Sequence, residues 1–140
     1  MATETFPLAR ELRDEIVAHA RESAPNEACG LLAGVTGVPR RVIRCANVHP
    51  TPMTRYRIDP REQLRAFRSM DEQGEELVAI YHSHPASQPF PSPTDRDEAN
   101  YPDAFYVLVS LRSTEPELRS FRILPNGAVI EATVLESAPS

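Results

Sequence analysis

The 140-residue chain has no tryptophan and no lysine, and only two cysteines, Cys29 and Cys45. Two cysteines cannot build a multi-disulfide framework, so both read as reduced thiols suited to the cytosol. Positive charge is carried by arginine alone and is scattered, with a net charge of −5. Phosphate binding needs concentrated basic surface, so this charge pattern speaks against nucleic acid as the main partner. No apolar stretch approaches the roughly 20 residues that cross a bilayer, so no membrane role is expected. The segment from Met1 to Leu12 contains Glu4 and Glu11 and no apolar run. It does not read as a signal peptide, and a cytoplasmic location is expected.

What is present is ordinary in bulk and unusual in one place. The apolar fraction is 41% and the charged fraction 25%, typical of a globular protein. A chain of this length can bury one self-sufficient core, and no repeat or linker divides it. A single domain over 1–140 is expected, with its core at about 8–135. Fourteen prolines are present, and Pro85, Pro89, Pro91 and Pro93 crowd together. Such a stretch excludes helix and interior strand and predicts a loop of fixed shape.

Hydrophobic periodicity predicts an amphipathic helix over Leu8–Glu22 and strands over Cys29–Gly34 and Pro39–Asn47. Asp59-Pro60 opens a second helix, which turns Leu64, Phe67 and Met70 inward and closes at Gly74. Leu77–Tyr81 is an apolar strand that runs straight into His82. A short helix over Thr94–Tyr101, capped by Ser92 or Thr94, follows the proline loop. Strands at Phe105–Leu111, Glu117–Leu124 and Ala128–Leu135 complete the chain, and the tail from Glu136 reads as frayed. The fold class is α+β, a mostly antiparallel curved sheet flanked by helices.

The informative stretch runs from His82-Ser83-His84-Pro85 to Ser92-Pro93-Thr94-Asp95. Histidines at i and i+2 of a strand share one face, and Asp95 arrives from the far side of the stiff loop. Two imidazoles and a carboxylate form a typical catalytic zinc set with one position left for water. A metal there would lower the pKa of that water and polarise a carbonyl. Spacing alone leaves open the alternative that a His-x-His on a strand is incidental.

His-Ser-His-Pro, six residues, Ser, two residues, Asp resembles the signature of the JAMM (JAB1/MPN/Mov34) metalloprotease family. The upstream segment Asn26-Glu27-Ala28-Cys29-Gly30-Leu31-Leu32 resembles that family's glutamate-bearing strand start. The resemblance implies an MPN-type, cytidine-deaminase-like fold and one zinc per chain, held by His82, His84 and Asp95. Glu27 would be the general base and Ser92 the donor to the oxyanion. Only about ten residues separate Asp95 from the strand at Phe105, which is similar to the compact bacterial branch and its Mec-type peptidases. That implies hydrolysis of a peptide or isopeptide bond after the C-terminal Gly-Gly of a small ubiquitin-like or sulfur-carrier protein. The resemblance also implies that the segment Met53–Ile58 contacts substrate, and it reads here as an edge strand; the alternative is a plain connector anchored by Tyr56 and Ile58 with its arginines solvated. Arg55 and Arg57 would share one face of it, Tyr56 and Ile58 the other. Cys29 shares Glu27's face in a regular strand and is a candidate lining residue; its alternative is a buried small hydrophobe. Ser83 points to the opposite face and reads as structural. His19 and His49 lack paired spacing and read as non-ligands, and Cys45 as core.

Three rival classes differ in what they need. A non-catalytic MPN-type binding module would hold metal without hydrolysing any tail. A metal-dependent enzyme acting on nucleic acid fits the similar His-x-His-Pro loop of a family linked to DNA repair, but not the acidic charge. A cell-wall or phage-tail peptidase would carry this domain fused to another.

Overall fold

The structure, a computed structural model, describes residues 4–137. Its centre is one seven-stranded mixed sheet in the order β1-β7-β6-β5-β4-β2-β3. The strands are β1 (Thr5–Ala9), β2 (Cys29–Val35), β3 (Val38–Cys45), β4 (Glu76–His84), β5 (Phe105–Ser110), β6 (Glu117–Ile123) and β7 (Val129–Ser137). The helices among the described residues are α1 (Arg10–Ser23), α2 (Pro60–Gln73) and α3 (Pro93–Glu98). Four strand pairings are antiparallel, and β1 with β7 and β4 with β5 are parallel.

Each face of the sheet carries its own core. Helix α1 presents Leu12, Ile16, Val17 and Ala20 at helical spacing. They pack with Phe6, Leu8, Leu32, Val78, Tyr81, Phe105, Val107 and Val109 on one face. Alternate residues of the same strands turn to the other face, as strand periodicity requires. There Leu31, Ile80 and Tyr106 pack with Ala66 and Met70 of α2.

Helix α2 starts and stops where its chemistry dictates. The Asp59 carboxylate accepts a hydrogen bond from the Arg61 N–H, Pro60 occupies the first turn, and Gly74 closes the helix at φ 67°. The inward stripe differs from the expectation at one position. Leu64 is 53% exposed, and Ala66 takes the buried place beside Met70.

Most boundaries also shift by one to three residues, and three of the shifts change the reading. The expected first helix begins two residues later, at Arg10, because Thr5–Ala9 forms β1 on the edge beside β7. That pairing draws β7 out to Ser137, where Leu8 aligns with Glu136, so Glu136 is not frayed. The rest of the expected tail lies outside the described residues. Helix α3 ends at Glu98, and Ser92 rather than Thr94 is its cap.

Candidate functional site

β4 is a central strand, and it extends through both histidines to His84. His82 and His84 fall on the α2 face, in line with Ile80, and both are buried. The proline-rich loop then returns to the sheet at α3, whose first turn carries Asp95. The return is fixed by a reciprocal cap. Ser92 Oγ accepts from the Asp95 N–H at 3.0 Å, and Asp95 Oδ2 accepts from the Ser92 N–H at 2.9 Å. Pro93 at the first helical position needs no N–H partner there.

The three side chains converge. His82 Nε2 and His84 Nε2 are 3.2 Å apart, and each lies 3.1 Å from Asp95 Oδ2. Zinc–ligand bonds of about 2.0–2.1 Å in tetrahedral geometry separate neighbouring ligand atoms by about 3.3–3.4 Å. The triangle therefore fits a small tetrahedral cation with slight expansion. The nitrogen chemistry agrees with this. His84 Nδ1 lies 2.8 Å from the Gln88 carbonyl oxygen, which can only accept. The proton therefore sits on Nδ1, and the neutral ring turns its Nε2 lone pair to the triangle. The Tyr56 ring stacks on His82 with centroids 4.4 Å apart, fixing that imidazole from the side.

Charge in the cluster is strongly coupled. Burial disfavours the ionised Asp95, but bonds from His82, His84 and the Ser92 N–H outweigh it and hold the carboxyl well below its ordinary range. Burial pushes His82 down. It opposes charge on His84 too, but Asp95 and the Gln88 carbonyl raise that residue overall. A cation would take over the role of the shared proton.

Glu27 precedes β2 and is 5% exposed, with Oε1 buried and lacking any hydrogen-bond partner. Burial raises its pKa to about 8, against an opposing pull from His84 and with a further push from Asp95. Its carboxyl is thus desolvated and electrostatically tied to the triangle. Its backbone is held on both sides. The Glu27 N–H donates to Pro52 O at 2.7 Å, and Glu27 O accepts from Asn47 Nδ2 at 3.0 Å. The neighbouring Ala28 is locked to Ser83, whose Oγ accepts from the Ala28 N–H and whose N–H donates to Ala28 O. Ser83 thereby joins the glutamate segment to the strand that carries both histidines.

The remaining expected residues divide. Arg55 and Arg57 are exposed and Tyr56 and Ile58 half-buried, the alternation expected. The segment is nevertheless no edge strand: Thr51–Thr54 form a turn, and pairing is limited to one bridge between Asn47 and Ile58. Pro50 and Pro52 and the Asn47 side chain bend the chain there. Arg57 and Tyr56 line a cavity of about 320 Å³ with His49, Gln63 and Tyr101, and Arg55 is not among its lining residues. Cys29 is not a lining residue either. It is 0% exposed, its thiol points at Cys45 O, and burial raises its pKa. It behaves as the small buried hydrophobe. His49 Nδ1 accepts from the Thr51 N–H, and His19 bonds the Tyr81 hydroxyl at 2.7 Å, so both sit apart from the triangle. Cys45 is buried as expected. Asn47 was not singled out in the sequence, where it reads only as the last residue of the expected strand Pro39–Asn47; the structure ends that strand at Cys45 and frees Asn47 for the loop.

Comparison with known proteins places this geometry. Residues 9–124 match the family described as prokaryotic homologs of the JAB domain. The CysO-cysteine peptidase of Mycobacterium tuberculosis is 49% identical over 127 residues, covering 89% of this chain and 86% of that protein. The desampylase of Haloferax volcanii is 38% identical over 118 residues, covering 79% and 84%. The solution structure of a Desulfitobacterium hafniense protein superposes with a TM-score of 0.86 at 35% identity, covering 95% of this chain and 93% of that one. The match spans both the glutamate segment and the His-His-Asp triangle, and the chain belongs to the prokaryotic JAB-domain family.

Proposed function

We propose that this chain is a zinc metallopeptidase that cleaves the bond following the C-terminal Gly-Gly of a small ubiquitin-like or sulfur-carrier protein. The observation that carries the reading is the triangle of His82, His84 and Asp95 with the buried carboxyl of Glu27, whose Oε1 has no hydrogen-bond partner, electrostatically coupled to it. The relatives named as a CysO-cysteine peptidase and a desampylase supply the substrate class.

Each residue has a task set by its surroundings. His82, His84 and Asp95 hold the ion through Nε2, Nε2 and a carboxylate oxygen. Zinc in such a site acidifies a water and polarises a carbonyl. Glu27 takes a proton from the attacking water and returns it to the departing amine. Burial tunes it for this, since a base works best with a pKa near the working pH. Ser92 Oγ already accepts from the Asp95 N–H. Its own O–H proton remains to be donated to the substrate oxygen as negative charge builds there. Tyr56, packed on His82, forms a wall between the triangle and the 320 Å³ cavity. Arg57 in that cavity is placed to meet a carboxylate or acidic surface of the carrier.

The test is a carrier fusion that ends in Gly-Gly followed by cysteine, with released cysteine followed by mass spectrometry. Glu27→Gln should keep its zinc while turnover falls by the 10²–10⁴ expected for a lost general base. Wild-type turnover in that variant would remove Glu27 from the mechanism. Full zinc occupancy in the wild type with no cleavage of any Gly-Gly fusion would leave a binding module.

A further inference from the structure

Glu27 lies outside the strand ladder, two residues before β2 begins, so the sheet does not by itself fix its carboxyl. The loop between β3 and α2 does, and that loop is organised around one side chain. Asn47 Nδ2 donates to Glu27 O and to Arg55 O, both at 3.0 Å, with a longer approach to Pro52 O at 3.5 Å. Asn47 Oδ1 accepts from the His49 N–H and the Arg57 N–H, both at 3.0 Å. A primary amide has two N–H donors and two acceptor lone pairs, and here all four are used. The partners also fix its orientation, because carbonyls face the nitrogen and N–H groups face the oxygen. Backbone bonds from Glu27 N to Pro52 O and from Val48 N to Arg57 O close the same unit.

We propose that Asn47 is a positioning residue for hydrolysis: its amide fastens the backbone of Glu27 to the loop that carries Tyr56 and Arg57. The inference rests on the reading of Glu27 as general base. Glu27 O and Arg55 O bind one nitrogen, so the base and the substrate-facing loop are held in one register. Tyr56, one residue beyond Arg55, then stacks on His82 and ties that unit to the metal ligands. Asparagine alone meets this demand at this reach. Aspartate keeps the two accepted bonds but sets an oxygen against the carbonyls of Glu27 and Arg55. Serine offers one donor, and alanine none.

The experiment is a double-mutant comparison. Asn47→Ala and Asn47→Asp are made in the wild-type chain and in Glu27→Gln, and turnover of the Gly-Gly-cysteine carrier fusion is measured per bound zinc. A misplacement near 1 Å costs about 10²-fold in rate, so a loss of about 10- to 100-fold in kcat is expected in the chain that has Glu27. In the Glu27→Gln chain the same substitutions should cost less than about threefold, because the group they position is already gone. A merely structural asparagine would lower kcat per zinc equally in both backgrounds, or not at all, and either result overturns the proposal. If the alanine chain does not fold, the aspartate chain carries the same comparison. A wild-type rate for Glu27→Gln alone would instead fail the general-base reading.

Discussion

Burying Glu27 has a thermodynamic consequence that is separable from catalysis. In metal-free protein its pKa is raised from 4.5 to about 8, chiefly by burial, and the residue is 5% exposed. A carboxyl whose folded pKa lies above its unfolded one takes up a proton on folding. Its contribution is fully present below the unfolded value and is lost as pH rises through the folded one. The window here is therefore pH 4.5 to 8. Between pH 6 and pH 9 the loss integrates to roughly 2–3 kcal/mol at about 1.4 kcal/mol per unit. Glu27→Gln has nothing to titrate, so the metal-free variant should gain on the wild type by that amount as pH rises from 6 to 9. Urea unfolding of both chains in chelator at the two pH values reads the difference directly. Cys29 and Cys45 also ionise on unfolding at pH 9, but they do so in both chains and cancel. A gap of the same size at both pH values would show that the Glu27 carboxyl is not desolvated as described, and would remove the basis for its tuning as a base.

Three further outcomes follow from the same geometry. His84→Ala removes one corner of the triangle and should reduce bound zinc from about one per chain to a small fraction, measured by metal analysis after dialysis; retention of stoichiometric zinc would exclude His84 as a ligand. Ser92→Ala should lower kcat by about 10²–10³ with little change in KM, and should cost about 1 kcal/mol in stability through the lost helix cap. A pure KM effect would assign Ser92 to substrate positioning instead. Arg57→Ala should reduce kcat/KM on both a short Gly-Gly-cysteine peptide and the carrier fusion, because Arg57 lines the cavity beside Tyr56. Arg55→Ala should leave the short peptide unchanged, and equal losses from the two substitutions on that peptide would refute the distinction.

The convergence of His82, His84 and Asp95 was legible in the sequence because its geometry is nearly local. His82 and His84 are fixed to one face by strand periodicity alone. The proline crowding declares a loop stiff enough to return Asp95 to them, and the Ser92–Asp95 cap is written in a Ser-Pro-Thr-Asp string. Glu27 was legible only through family resemblance, since nothing in Asn26-Glu27-Ala28 says that the carboxyl will be buried. The backbone of Glu27 is placed by Asn47 and Pro52, 20 and 25 positions away, and that of Ala28 by Ser83, 55 positions away. The segment from Met53 to Ile58 shows the opposite failure. Its alternation predicted which side chains face inward, and the structure keeps that alternation. Alternation does not require a ladder, however, and the side chain of Asn47 satisfies backbone groups that a neighbouring strand would otherwise have taken. β1 was missed for a related reason: five residues with a proline in the middle are too short for periodicity to register, and only the edge of β7 makes them a strand. The same division holds for mechanism. Residues proposed to bind the ion or move the proton have chemistry that a motif records, whereas the residue proposed to set their register, Asn47, acts through ordinary backbone bonds, and those become visible only when the loop is folded around it.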